Sequence, residues 1–115
     1  MSITLYHNPL CSKSRQTLAL LEERNLNPDI VFYLETPPSE ETLEELLKKL
    51  GISARELMRK GEAEYKEHQL NNPALTEAEL ISALHSYPKL IERPIVVSGN
   101  AAKIGRPPES VLEIL

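Results

Sequence analysis

Apolar residues change period several times along this 115-residue chain, and the changes mark its elements. Ile3 and Leu5, interleaved with the β-favouring Thr4 and Tyr6, predict a short strand that ends at the turn-forming pair Asn8-Pro9. From Ser12 the period is helical: Ser14, Thr17, Leu18 and Leu21 fall at i, i+3, i+4 and i+7, and the stretch from Asn25 to Pro28 supplies a stop. Ile30 to Leu34 is β-branched, aromatic and nearly continuous in its apolar character, which predicts a second strand buried on both faces. Thr36-Pro37-Pro38-Ser39 then opens a helix. Glu40 and Glu41 suit the positive end of its dipole, Leu43, Leu46, Leu47 and Leu50 form its buried stripe, and Gly51 can close it.

Residues 53 to 86 carry no strand pattern. They contain two capping boxes, Ser53-x-x-Glu56 and Thr76-x-x-Glu79, each followed by apolar residues at helical spacing, which predicts two or three short helices. After Tyr87-Pro88 the period returns to that of a strand at Ile95-Val96-Val97, followed by a Gly99-Asn100 turn and Ala101 to Ile104, a β-hairpin signal. Pro107 and Pro108 start a last helix carrying Val111, Leu112 and Leu115. A strand-helix-strand unit requires a right-handed crossover and a parallel pair, whereas the hairpin adds antiparallel strands, so the sheet is mixed. The order places a cysteine, Cys11, at the N-terminus of the first helix. That is the plan of an α/β thioredoxin-like (glutaredoxin-like) fold with an all-helical insertion between the second strand and the C-terminal hairpin.

Composition narrows the picture. The length suits one domain over residues 1–115, large enough to bury roughly two-thirds of its unfolded surface without disulfide or metal staples. Cys11 is the chain's single cysteine, so no internal disulfide can form and a redox role must take its second thiol from another molecule. The net charge of -4 argues against nucleic acid as a partner, since phosphate contacts need a surplus of Lys and Arg. No apolar run approaches the roughly 20 residues of a membrane span, and no signal-peptide pattern opens the chain. A cytoplasmic location, with Cys11 kept reduced, and a monomeric state are expected.

A cysteine at a helix N-terminus faces unpaired backbone N–H groups and the positive end of the dipole, both of which favour the thiolate. His7, Lys13 and Arg15 could add positive charge, and the Ser14 hydroxyl could donate a hydrogen bond to the sulfur. The alternative is a buried structural cysteine; the Pro-containing turn and polar flanks of Cys11 favour a reactive one. Arg59, Arg93 and Arg106 each stand at an element boundary. Guanidinium forks bind tetrahedral oxyanions bidentately, and several converging on one thiolate would lower its pKa and hold an anionic substrate against it. Spacing alone does not make them converge, and each could be a surface or salt-bridged residue. His68 and His85 lack partners at ligand spacing and read as surface or packing residues, and no metal site is expected. A phosphatase loop would need arginine where Thr17 stands, and the four glycines form no phosphate cradle.

The segment Tyr6-His7-Asn8-Pro9-Leu10-Cys11-Ser12-Lys13-Ser14-Arg15 closely resembles the active-site segment of the glutaredoxin-coupled arsenate reductases, the ArsC family. Tyr33-Leu34-Glu35-Thr36-Pro37-Pro38, Leu50-Gly51-Ile52-Ser53, Leu57-Met58-Arg59-Lys60, Glu92-Arg93-Pro94-Ile95-Val96-Val97 and Gly105-Arg106-Pro107-Pro108 resemble it in the same order. The chain is most similar to the short chromosomal arsenate-reductase-like members, because it stops at Leu115 without a charged tail and has Ser98-Gly99-Asn100 at its hairpin tip. The resemblance implies Cys11 as nucleophile, Arg59, Arg93 and Arg106 as an oxyanion pocket, His7 and Ser14 as residues tuning the thiolate, and Pro94 as a cis-proline. It further implies reduction of arsenate to arsenite, with glutathione as co-substrate, glutaredoxin as partner and no bound cofactor. Two rivals share the fold: a transcriptional adaptor like the Spx proteins, which bind RNA polymerase, and a thiol oxidoreductase with another substrate. The adaptor's switch usually rests on Cys-x-x-Cys, where this chain reads Cys-x-x-Ser.

Overall fold

The computed structural model describes residues 2–115. They cluster into two compact units, one formed by the chain up to Thr36 together with Arg93–Leu115, the other by Pro37–Glu92.

The first unit is built on a four-stranded mixed sheet of β1 (Ile3–Tyr6), β2 (Asp29–Val31), β3 (Ile95–Ser98) and β4 (Ala101–Ile104), in the order β2-β1-β3-β4. β1 pairs parallel with β2, Leu5 opposite Ile30, and antiparallel with β3, Leu5 opposite Val96. β3 and β4 form the hairpin, closed at Gly99, whose φ of 61° suits the tight two-residue turn. The helix α1 (Ser12–Glu23) buries Ser14, Thr17 and Leu21, the predicted face, and stops where Asn25 turns left-handed. Ile3, Leu5, Leu21, Val96 and Val111 make the core, with Leu18, Leu26 and Ile114 packed against it. This is the thioredoxin-like plan, with the parallel crossover and the antiparallel hairpin both present.

Two elements differ from expectation. The second strand is shorter than the Ile30–Leu34 run and is not buried on both faces. It lies at the edge of the sheet, Ile30 and Phe32 are exposed, and only Tyr33 of the run is buried. The apolar run continues past the strand into a turn in which the backbone N–H groups of Glu35 and Thr36 and the Thr36 hydroxyl all donate to the Phe32 carbonyl. The C-terminal helix is a 3₁₀ helix, Pro108–Ile114. Side chains three apart eclipse in that geometry, so the inward face is Pro108, Val111 and Ile114, while Leu115 is exposed.

The second unit is all-helical: α2 (Glu40–Leu50), α3 (Ala54–Leu57), α4 (Ala63–Glu67), α5 (Glu77–Ser86) and a 3₁₀ turn at Pro88–Leu90. Its boundaries follow local chemistry. The Ser39 hydroxyl caps α2, Gly51 ends it at φ 71°, and both predicted capping boxes are formed, by Ser53 with Glu56 and by Thr76 with Glu79. Helix α5 packs on α2, α3 and the 3₁₀ turn through buried Leu80, Ile81 and Leu84. His68 stacks on Tyr87 with ring centroids 4.2 Å apart, and His85 Nδ1 lies 2.8 Å from the Pro38 carbonyl, so both histidines serve packing.

Candidate active site

The loop between β1 and α1 is fixed by Asn8. Its backbone carbonyl accepts from the Cys11 N–H at 3.0 Å, its side-chain Oδ1 accepts from the Leu10 N–H at 3.0 Å, and its own N–H donates to Ser14 Oγ at 3.0 Å. The result sets Cys11 at the N-cap of α1 in extended conformation, partly exposed, with no side-chain cap of its own. The first amides of the helix are therefore directed at the thiol.

Burial alone would raise the Cys11 pKa. Hydrogen bonds from the Ser14 backbone N–H, the Arg93 guanidinium and the Lys13 backbone N–H, together with the Arg93 charge, outweigh it and hold the thiol below its ordinary value. Arg106 adds a second guanidinium, its Nη2 3.8 Å from Sγ, while its Nε donates to the Arg93 carbonyl at 2.8 Å. Two of the three arginines singled out by sequence thus converge on Cys11. Both precede cis peptide bonds, Arg93–Pro94 and Arg106–Pro107, the second of which was not expected from sequence.

Arg59 belongs to the helical unit. There its N–H donates to the Leu90 carbonyl at 2.7 Å, its Nη1 pairs with Glu92 at 2.9 Å, and its Nε lies 3.9 Å from Glu62. An isolated bridge between Met58 and Ile91 and the hydrogen bond from Glu92 N–H to the Leu57 carbonyl brace the same stretch. The guanidinium is half-buried and held by carboxylates rather than loose in solvent.

His7 and Ser14 form a buried pair, Nδ1 to Oγ 2.6 Å. Burial, and then the Arg15 charge, keep His7 below the usual histidine pKa, so the imidazole is neutral near pH 7. The expected bond from the Ser14 hydroxyl to sulfur is replaced: that hydroxyl is engaged by His7 and the Asn8 N–H, and Ser14 reaches Cys11 through its backbone amide. Arg15, expected to add charge at the thiol, donates instead to the Pro9 carbonyl at 2.9 Å. Asn8 was expected only as half of a turn, although an Asn-Pro pair beside a candidate nucleophile signals a side chain able to bond its own backbone two residues on. Among the described residues no cluster of His, Cys, Asp and Glu could hold a metal ion, and no helix is long and apolar enough to cross a membrane.

The uncharacterized protein YfgD of Escherichia coli K12 is 57% identical, covering 98% of this chain and 96% of that protein. A Haemophilus influenzae protein named arsenate reductase is 53% identical over the full length of both. The solved structure of an arsenate reductase from Vibrio cholerae superposes with a TM-score of 0.98 at 52% identity, covering all of this chain and 98% of that one. The family model described as ArsC family matches residues 6–114, and with that match the chain belongs to the ArsC family.

Proposed function

We propose that the protein is an oxidoreductase that reduces arsenate to arsenite, with Cys11 as nucleophile. The observation that carries this reading is the convergence of Arg93 and Arg106 on Cys11 Sγ at the start of α1. A thiolate held there is a strong nucleophile at neutral pH, and the guanidinium forks beside it suit a tetrahedral oxyanion. The full-length relatives named arsenate reductase favour arsenate as that anion.

The thiolate attacks arsenic, forming an S–As bond as one arsenate oxygen, protonated, leaves as water or hydroxide. Glutathione then replaces a second arsenic oxygen, which leaves as water, and a glutaredoxin thiolate attacks the glutathione sulfur, forming a mixed disulfide as that S–As bond breaks and leaves its electron pair on arsenic. Water then displaces the Cys11 thiol from the reduced arsenic, releasing arsenite. Overall, arsenic acid and two thiols become arsenous acid, one disulfide and water, so the two electrons come from the thiols. Cys11 has no second cysteine in the chain, which supports an external resolving thiol. The family resemblance extends the oxyanion set to Arg59, and a family match running from residue 6 to 114 supports one functional domain. A reduced thiol supports a cytoplasmic setting, and a monomer is part of the same reading.

The test is incubation with arsenate, glutathione and glutaredoxin while arsenite release is followed. Release that disappears in Cys11→Ser supports the reading; a reactive Cys11 that never yields arsenite would sink it. Arg59→Ala should raise KM for arsenate by about tenfold or more, equivalent to about 1.4 kcal/mol. An unchanged KM removes Arg59 from the oxyanion set.

A further inference from the structure

Gly105 is buried between β4 and Arg106. Its φ lies outside the left-handed region, so the backbone does not call for glycine; space does. A Cβ at this position would lie 2.6 Å from Thr17 Oγ1 and 2.8 Å and 3.4 Å from Cγ and Cδ of Pro94. Neither neighbour can yield freely. Thr17 is fully buried and its hydroxyl donates to the Lys13 carbonyl at 2.9 Å, which ties it to the helical turn whose amides face the sulfur. Pro94 is a buried rigid ring, and its carbonyl accepts from the Gly105 N–H at 2.9 Å. Three segments therefore meet at an atom that is missing: the helix that starts at Cys11, the Arg93-Pro94 segment and the segment leading into Arg106.

We propose that Gly105 is a positioning residue for the Cys11 site, its lack of a side chain setting the spacing between α1 and the two segments that carry Arg93 and Arg106. The inference rests on the reading of Cys11 as a thiol tuned by those arginines and deepens it. A methyl group at 105 needs up to about 1 Å more room to reach ordinary van der Waals separation from Thr17. The Arg106 Nη2 to Sγ contact, 3.8 Å long already, cannot absorb such a displacement.

The experiment is the pH profile of Cys11 alkylation by iodoacetamide in the full chain, for wild type, Thr17→Ala, Gly105→Ala and the double variant, each checked for folding by circular dichroism. Gly105→Ala should alkylate roughly threefold or more slowly at pH 7, its midpoint moving toward the ordinary thiol value of about 8.5. Removing Thr17 Oγ1 relieves one of the two short contacts, so the double variant should fall between Thr17→Ala and Gly105→Ala. Should Gly105→Ala fail to fold, the double variant read against Thr17→Ala carries the test, because the Pro94 contact remains. A wild-type profile in folded Gly105→Ala, or identical profiles in the double variant and Thr17→Ala, overturns the proposal. Alkylation needs no arsenate, so a failed arsenate assay with a shifted profile would count against the substrate and not against the role of Gly105.

Discussion

At the scale of single residues, Cys11 behaves as a balance in which burial loses to the Ser14 and Lys13 amides and the Arg93 guanidinium. Its pKa is lower folded than unfolded. The thiolate therefore contributes stability above the ordinary thiol pKa, and that contribution fades as pH falls through the lowered folded value. Alkylation should accordingly proceed well below pH 8.5 in the native protein and shift upward in Arg93→Ala; a native profile with the ordinary midpoint would contradict the site geometry. His7 has the same sign for a different reason. Neutral when buried, it leaves the unfolded chain to take up the proton first as pH drops below about 6.5, so folding is weakened on the acid side. His7→Gln should flatten the fall in Tm between pH 7 and pH 5, measured by thermal unfolding. Cys11 and its helix N-terminus were legible in the sequence because a strand, an Asn-Pro turn and a helical period meet there. The bonds of Ser14 were not, since a hydroxyl can serve sulfur, imidazole or amide, and only the folded loop decides among them.

At the scale of elements, the helical unit was the most legible part because its boundaries are local. Ser39, Ser53 and Thr76 each satisfy a backbone amide three residues on, and Gly51 takes a positive φ that any other side chain would resist. Thr76→Ala should cost about 1 kcal/mol by denaturant titration, and Gly51→Ala a similar amount. A loss below a few tenths of a kcal/mol in both would mean that tertiary packing alone sets these boundaries. β2 was misread because burial is not a local property. An apolar run predicts a central strand only if neighbours cover both sides, and its place at the edge is decided by how β1 pairs elsewhere. The last helix shows the same limit: two prolines mark its start, but the choice of a three-residue period depends on the surface it meets.

At the scale of the whole molecule, the sheet depends on strands from opposite ends of the chain. Leu5 and Val96, opposite each other in β1 and β3 and both fully buried, are the centre of that dependence. Leu5→Ala should destabilise by roughly 2–5 kcal/mol, a large share of the roughly 5–15 kcal/mol that holds a domain of this kind together, with equilibrium unfolding as the measurement. The same pairing has a consequence for synthesis. A ribosome makes Cys11 well before Arg93, Gly105 and Arg106, so throughout that interval the thiol exists without the guanidinium groups that meet it in the folded protein. A stalled nascent chain ending before Arg93 should alkylate like a free cysteine peptide, and a released, folded chain that includes Arg93 and Arg106 should react readily at neutral pH. Placing Arg93 and Arg106 so far after Cys11 in the chain keeps the thiol at ordinary reactivity until both have been made and folded against it.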